Sequence, residues 1–206
     1  MMGRVTRIVA GTAGGRHLSV PEGETTRPTS ERVREALFSM LEVRGAVRGA
    51  RVLDLFAGSG ALGLEGASRG AAEVVLVDSA QQAVLAARAN AAELKLPRVT
   101  VVLSSVERYL AAVPSRLFDL VLLDPPYRFA EDALASALSA LGAGGAGGAG
   151  GAGGPWVQPD GVVVVERASR SPEPRWPAEF ARSDVRRYGD TALWFAQPAR
   201  ALRSQP

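Results

Sequence analysis

Hydrophobic positions change their period along the chain, and each change marks an element. Residues 4–20 alternate loosely through Arg4-Val5-Thr6-Arg7-Ile8-Val9-Ala10, break at Gly11, Gly14 and Gly15, and resume as Arg16-His17-Leu18-Ser19-Val20. Alternation interrupted by glycines predicts two short strands around a turn. A polar stretch, Thr25-Thr26-Arg27-Pro28-Thr29-Ser30, follows. Then Val33, Ala36, Leu37, Met40 and Leu41 fall at i, i+3, i+4, i+7 and i+8, which predicts an amphipathic helix. Thr29 or Ser30 can cap that helix, and Glu31 suits its positive end. Beyond it, continuous apolar runs begin at Arg51 and cover 74–77, 99–103, 118–123 and 162–165. Such runs read as strands buried on both faces, the mark of a parallel sheet. Helical stretches at 80–94, 106–113 and about 130–141 separate them. Asp160-Gly161 predicts a turn into the fifth strand. Segments 182–188 and 191–196 flank Gly189-Asp190 and predict a closing antiparallel hairpin. The pattern is α/β: a doubly wound, mostly parallel sheet with a C-terminal antiparallel hairpin. A small N-terminal extension of hairpin plus helix, 1–41, precedes a main domain, 42–206.

Residues 142–154 are Gly and Ala alone, repeating Ala-Gly-Gly. They offer no side chain that could bury a useful area, and glycine is costly to order. The expectation is a flexible surface loop without chemistry.

Composition narrows the function classes. With 206 residues and 47% hydrophobic content, one substantial domain can bury a full core. There is no cysteine, so disulfides, thiolate metal sites and cysteine nucleophiles are excluded; the lone histidine, His17, rules out a multi-histidine metal centre. No apolar run reaches membrane-spanning length and the start lacks a secretory segment, so a cytoplasmic protein without metal or membrane is expected. The net charge of +3 is unevenly placed: +2 over residues 1–35, −3 over 36–166 and +4 over 167–206. Basic ends suit a phosphate-bearing partner. Arg4, Arg7 and Arg16 have no acidic sequence neighbour, and Arg27, Arg32 and Arg34 lie off the apolar helix face. A solvated arginine-rich surface explains the same pattern.

Two strand tips carry the candidate chemistry. Asp124-Pro125-Pro126-Tyr127 follows the apolar run 118–123, at the carboxyl edge where open α/β sheets bind ligands. The prolines restrict the backbone. Asp124 and the Pro125 carbonyl can then accept from a planar amine while Tyr127 stacks on the ring bearing it, an arrangement suited to a flipped nucleobase. Upstream, Gly58, Gly60 and Gly63 fit GxGxxG, and Asp78 stands 20 residues beyond Gly58. That spacing also matches the dinucleotide fingerprint. Asp54 tips the balance: a pyrophosphate beside it would meet a carboxylate, whereas the ammonium of S-adenosylmethionine would be attracted. Asp78 suits the ribose diol. The loop positions Phe56, Ala57 and Ser59, with Ser79 beside Asp78, complete this candidate cofactor site. Ser105 and Val106 follow the third strand, where Ser105 can meet the adenine amine. Alternatively Ser104 only caps the next helix, and Asp54 only caps backbone amides.

Arg27-Pro28-Thr29, Arg34-Glu35-Ala36-Leu37-Phe38, the run from Leu53 to Gly63, Asp124-Pro125-Pro126-Tyr127 and Tyr188-Gly189-Asp190-Thr191 occur in one order. In this the chain resembles the RsmD family, bacterial methyltransferases acting on N2 of a guanine in 16S ribosomal RNA. The likeness runs from about Arg7 to Ala196. It implies a class I, Rossmann-like methyltransferase fold, S-adenosylmethionine as donor, and assembled or partly assembled small ribosomal subunits as partner; a monomer is expected. It further implies that the N-terminal hairpin and Arg27, Pro28 and Thr29 face RNA. Gly14-Gly15-Arg16 stands where the family often has Arg-Gly-Arg, and Ser105 where Asn or Asp is usual. The same tetrapeptide chemistry would serve adenine N6 or cytosine N4 of DNA, or a protein glutamine amide. A nicotinamide-dependent oxidoreductase and a non-catalytic RNA-binding module are the rivals of other classes.

Overall fold

Valine- and leucine-rich runs that bury both faces become the parallel strands of the computed structural model, which describes residues 6–20, 31–143 and 154–199. The chain divides into two units, Met1–Ser104 and Ser105–Pro206. In the first, β1 (Thr6–Arg7) and β2 (His17–Leu18) pair antiparallel, and α1 (Glu31–Val43) follows. Then come β3 (Arg51–Asp54), α2 (Ala61–Ser68), β4 (Glu73–Asp78), α3 (Gln81–Glu93) and β5 (Val99–Leu103). β3 and β4 pair parallel with Asp54 beside Leu76, and β4 and β5 pair parallel with Asp78 beside Leu103. In the second unit α4 (Val106–Leu110), β6 (Phe118–Leu123), α5 (Glu131–Ala143), β7 (Val157–Ala168), β8 (Phe180–Tyr188) and β9 (Thr191–Pro198) follow. There β6 and β7 are parallel, while β7, β9 and β8 run antiparallel in that order. Strands with helices between them, closed by an antiparallel hairpin, are the expected α/β pattern. Among the described residues no helix is long and apolar enough to cross a membrane.

Three features differ from the sequence expectation. The fifth strand begins at Val157, and Asp160-Gly161 lies inside it rather than in a turn before it. Pairing jumps from Phe118↔Val157 to Leu120↔Val162, so residues 158–161 bulge opposite Asp119. A Cβ on Gly161 would come 2.8 Å from Val157 Cγ1 and 3.1 Å from the Phe118 carbonyl. Glycine serves close approach here, a role that reads like a turn signal in sequence. Second, α4 stops at Leu110 instead of continuing to Val113, a residue that Pro114 disfavours in the helical region. Third, the buried face of α1 is Val33, Arg34, Leu37, Phe38 and Leu41, with Ala36 and Met40 only half-buried. Phe38 and Arg34, four residues apart, share that buried face.

The N-terminal hairpin and α1 belong to the first unit and are tied to its helices. Glu65 of α2 accepts from the amides of Val9 and Ala10, and Ser68 Oγ accepts from the amide of Ala13. Of the Gly/Ala stretch, Gly142 and Ala143 complete α5, while 144–153 lie outside the described residues.

Candidate functional site

The glycine loop between β3 and α2 is shaped by two bends and one close contact. Gly58 has φ +53° and Gly60, the residue preceding α2, has φ +88°, a conformation that strains residues bearing a Cβ. Gly63 has no such φ; a Cβ there would fall 2.2 Å from Leu76 Cδ2, so its absence lets α2 lie against β4. The loop is pinned by Ala57 N–H to the Val77 carbonyl (3.1 Å) and Gly60 N–H to the Ala57 carbonyl (2.7 Å). Asp54, 1% exposed at the end of β3, accepts the Gly63 amide on Oδ2 at 3.0 Å. That amide is one of the orphan donors of a helix start, where a phosphate would otherwise bind. The protein's own carboxylate therefore occupies the anion-seeking end of α2.

Asp78, half-buried at the end of β4, braces the same loop. Its Oδ2 accepts from Gly58 N–H at 2.8 Å and its Oδ1 from Ala80 N–H at 2.8 Å. A carboxylate has about four lone-pair sites, so each oxygen keeps capacity for a diol. Ala57 and Ser59 are buried, Phe56 is half-buried and Ser79 is exposed. The Ser59 carbonyl accepts from Asn90 Nδ2 at 2.9 Å. Asn90 is 1% exposed and also bonds Ser19 in both directions, donating to its carbonyl and accepting from its amide, each at 2.9 Å. One side chain thus joins the glycine loop to the chain leaving β2. Sequence reasoning missed Asn90; its available signal was a poor helix former in mid-helix.

In the second unit, β6 delivers Asp124 half-buried, Pro125 buried, and Pro126 and Tyr127 exposed. Phe129 N–H donates to the Pro126 carbonyl at 2.8 Å, closing a tight turn around Tyr127 and Arg128. Tyr127 is 57% exposed, and the Arg170 guanidinium carbon lies 5.1 Å from its ring centroid. Ser105, rather than Ser104, caps α4: its Oγ accepts from Arg108 N–H at 3.2 Å. Ser104 instead donates its amide to the Asp78 carbonyl at 2.9 Å. Val106 is buried at the start of α4. The sequence-derived residues thus gather into two groups, one around the glycine loop and one at the end of β6.

The candidate RNA-facing arginines separate. Arg7 stays exposed but pairs with Glu31 at 2.9 Å, and Arg16 donates to the Glu93 carbonyl at 2.8 Å. The acids absent from their sequence neighbourhood arrive from α1 and α3. Arg34 must be reassigned. It is 1% exposed, 3.5 Å from Glu65, and donates to Thr6 Oγ1 and the Arg7 carbonyl. A guanidinium buried in that way cannot meet a phosphate, and it anchors the hairpin instead. Glu65, which sequence reasoning did not single out, is the centre of that anchor. Arg4, Arg27, Pro28 and Thr29 lie outside the described residues.

Comparison with known proteins places these features in context. The family profile described as Conserved hypothetical protein 95 matches residues 6–197. Ribosomal RNA small subunit methyltransferase D of Escherichia coli (strain K12) is 41% identical over 122 residues, covering 59% of this chain and 60% of that protein. The Haemophilus influenzae protein of the same name is 32% identical over 171 residues, covering 81% and 80%. The matched stretch thus spans 60% of the first of these curated relatives. The solved structure of yhhF from Escherichia coli is similar with a TM-score of 0.79 at 32% identity, covering 95% of this chain and 98% of that one.

Proposed function

The chain belongs to the Conserved hypothetical protein 95 family, that of the RsmD methyltransferases, and from that premise we propose that it methylates the exocyclic N2 amine of a guanine in 16S ribosomal RNA. Its fold is the class I, Rossmann-like methyltransferase fold. The observation that carries the choice of cofactor is the bond from Gly63 N–H to Asp54. It supports S-adenosylmethionine over a dinucleotide, because a pyrophosphate would compete with a buried carboxylate for the start of α2. The donor set fits: Asp54 with the loop Phe56, Ala57, Gly58, Ser59 and Gly60 would hold the amino-acid end. Asp78, with Ser79 beside it, would hold the ribose diol, and Ser105 with Val106 would border the adenine. When bound, S-adenosylmethionine supplies an electrophilic methyl group.

The residues at the end of β6 prepare the acceptor. Asp124 and the Pro125 carbonyl accept from the amine, which localises its nitrogen lone pair. Tyr127 holds the ring by stacking, and Pro125 and Pro126 keep the acceptors fixed. Acceleration comes from positioning and electrostatics, without a covalent enzyme intermediate. Arg7 and Arg16, with Arg4, Arg27, Pro28 and Thr29, would face the RNA of an assembled or partly assembled small subunit, and the enzyme would act as a cytoplasmic monomer. Calorimetric titration tests the cofactor assignment. S-adenosylhomocysteine should bind and NADH should not; the reverse result would leave an oxidoreductase as the better reading.

A further inference from the structure

We propose that Arg170 is the second jaw of the acceptor site, its guanidinium and the Tyr127 ring forming a flat clamp for a nucleobase; this rests on the methyl-transfer reading above. Tyr127 and Arg170 follow neighbouring parallel strands, β6 and β7, whose pairing ends at Leu123 with Val165. Their roots are tied together, since Arg167 at the end of β7 pairs with Glu131, the first residue of the helix after Tyr127. The segment bearing Arg170 is itself held: Ser169 N–H donates to the Asp190 carbonyl at 2.8 Å, and Ser171 N–H to the Ala168 carbonyl at 2.9 Å. On this base the Arg170 guanidinium lies 5.1 Å from the ring centroid of Tyr127, an exposed residue. Nearby arginines lean on acids, Arg175 on Asp132 and Arg182 on Glu173. Arg170 leans on the aromatic face of the candidate catalytic motif.

An exposed cation–π contact is weak and opens readily. Base stacking on an aromatic ring is stronger, and a planar, weakly hydrated guanidinium stacks on bases as well as on tyrosine. An incoming base therefore displaces the guanidinium from Tyr127 and is covered by it on its outer face.

The test is equilibrium binding of small subunits, from a strain lacking the modification, to wild type, R170A, R170K, Y127A and R170A/Y127A, with S-adenosylhomocysteine present. The clamp predicts that R170A and R170K each weaken binding by about 10-fold, as expected for loss of one stacking partner. It predicts an unchanged salt slope, unchanged S-adenosylhomocysteine affinity, and little further loss when R170A is added to Y127A. Three results would overturn it: R170A binding like wild type, R170K restoring wild-type binding with a salt slope about one smaller in R170A, as for a phosphate contact, or additive losses in the double variant. Methyl transfer by wild type is scored separately. Its absence defeats the proposed function, whereas active wild type with an indifferent R170A defeats only the clamp.

Discussion

Replacing Glu65 by alanine removes a carboxylate that is 0% exposed and serves four groups. Oε2 accepts from Val9 N–H at 2.7 Å and lies 3.5 Å from Arg34 Nε; Oε1 accepts from Ala10 N–H at 3.0 Å and Arg69 Nε at 2.7 Å. Each part-buried amide left without an acceptor costs about 1 kcal/mol, the low end for an unsatisfied donor. Removing one partner of a buried ion pair costs about 3–5 kcal/mol. These losses overlap: Arg69 keeps Glu42 at 3.0 Å, and Arg34 keeps Thr6 and the Arg7 carbonyl. A net loss of about 4–6 kcal/mol follows, comparable with the whole stability of many domains. The conservative variant Glu65→Gln keeps volume and one acceptor and should lose about half as much. Trp156, Trp176 and Trp194 all lie in the second unit, so far-UV circular dichroism should follow denaturant unfolding here, because tryptophan emission reports the other unit. Amide exchange at Val9 and Ala10 gives the local readout. A loss below about 1 kcal/mol in Glu65→Ala, with protection of both amides retained, would refute the anchoring role.

Three further substitutions probe the site. Gly63→Ala places a Cβ 2.2 Å from Leu76 Cδ2, so overpacking should cost about 1–3 kcal/mol and, by moving α2, weaken S-adenosylhomocysteine binding in calorimetry. Asn90→Ala removes the side chain joining Ser59 to Ser19 and should lower thermal stability by about 1–3 kcal/mol. Asn90→Asp should be worse in the same melt, because its carboxylate would face two carbonyl oxygens where the amide donated. Asp124→Ala should lower turnover by about 10²–10⁴ while leaving cofactor affinity nearly unchanged, as single-turnover kinetics and titration would show; unchanged transfer removes Asp124 from the mechanism.

Much of the site was legible because its signals are local. Glycine spacing, the acid four residues before Gly58 and the acid 20 residues beyond it are written along the chain, and the structure arranges all of them around one loop. The closing hairpin was equally plain, since Gly189 supplies the positive φ of +55° that its turn requires. What escaped depends on distant partners. Arg34 reads as a helix-flank cation until Glu65, 31 positions later, folds against it. Asn90 gains meaning only through Ser19 and Ser59, which its own periodicity does not announce. Asp160-Gly161 carries a turn signature, yet its register is decided by the crowding of Phe118 and Val157. Ser104 and Ser105 are equivalent caps in sequence, and only the backbone direction at the start of α4 selects the second.

The central claim meets its most direct test in methyl-labelled S-adenosylmethionine incubated with the purified chain and unmodified small subunits, followed by nucleoside mapping. The account predicts label on N2 of a guanine in 16S ribosomal RNA. Label on another amine would contradict the proposed acceptor, and no label on the subunits would contradict the enzymatic reading itself.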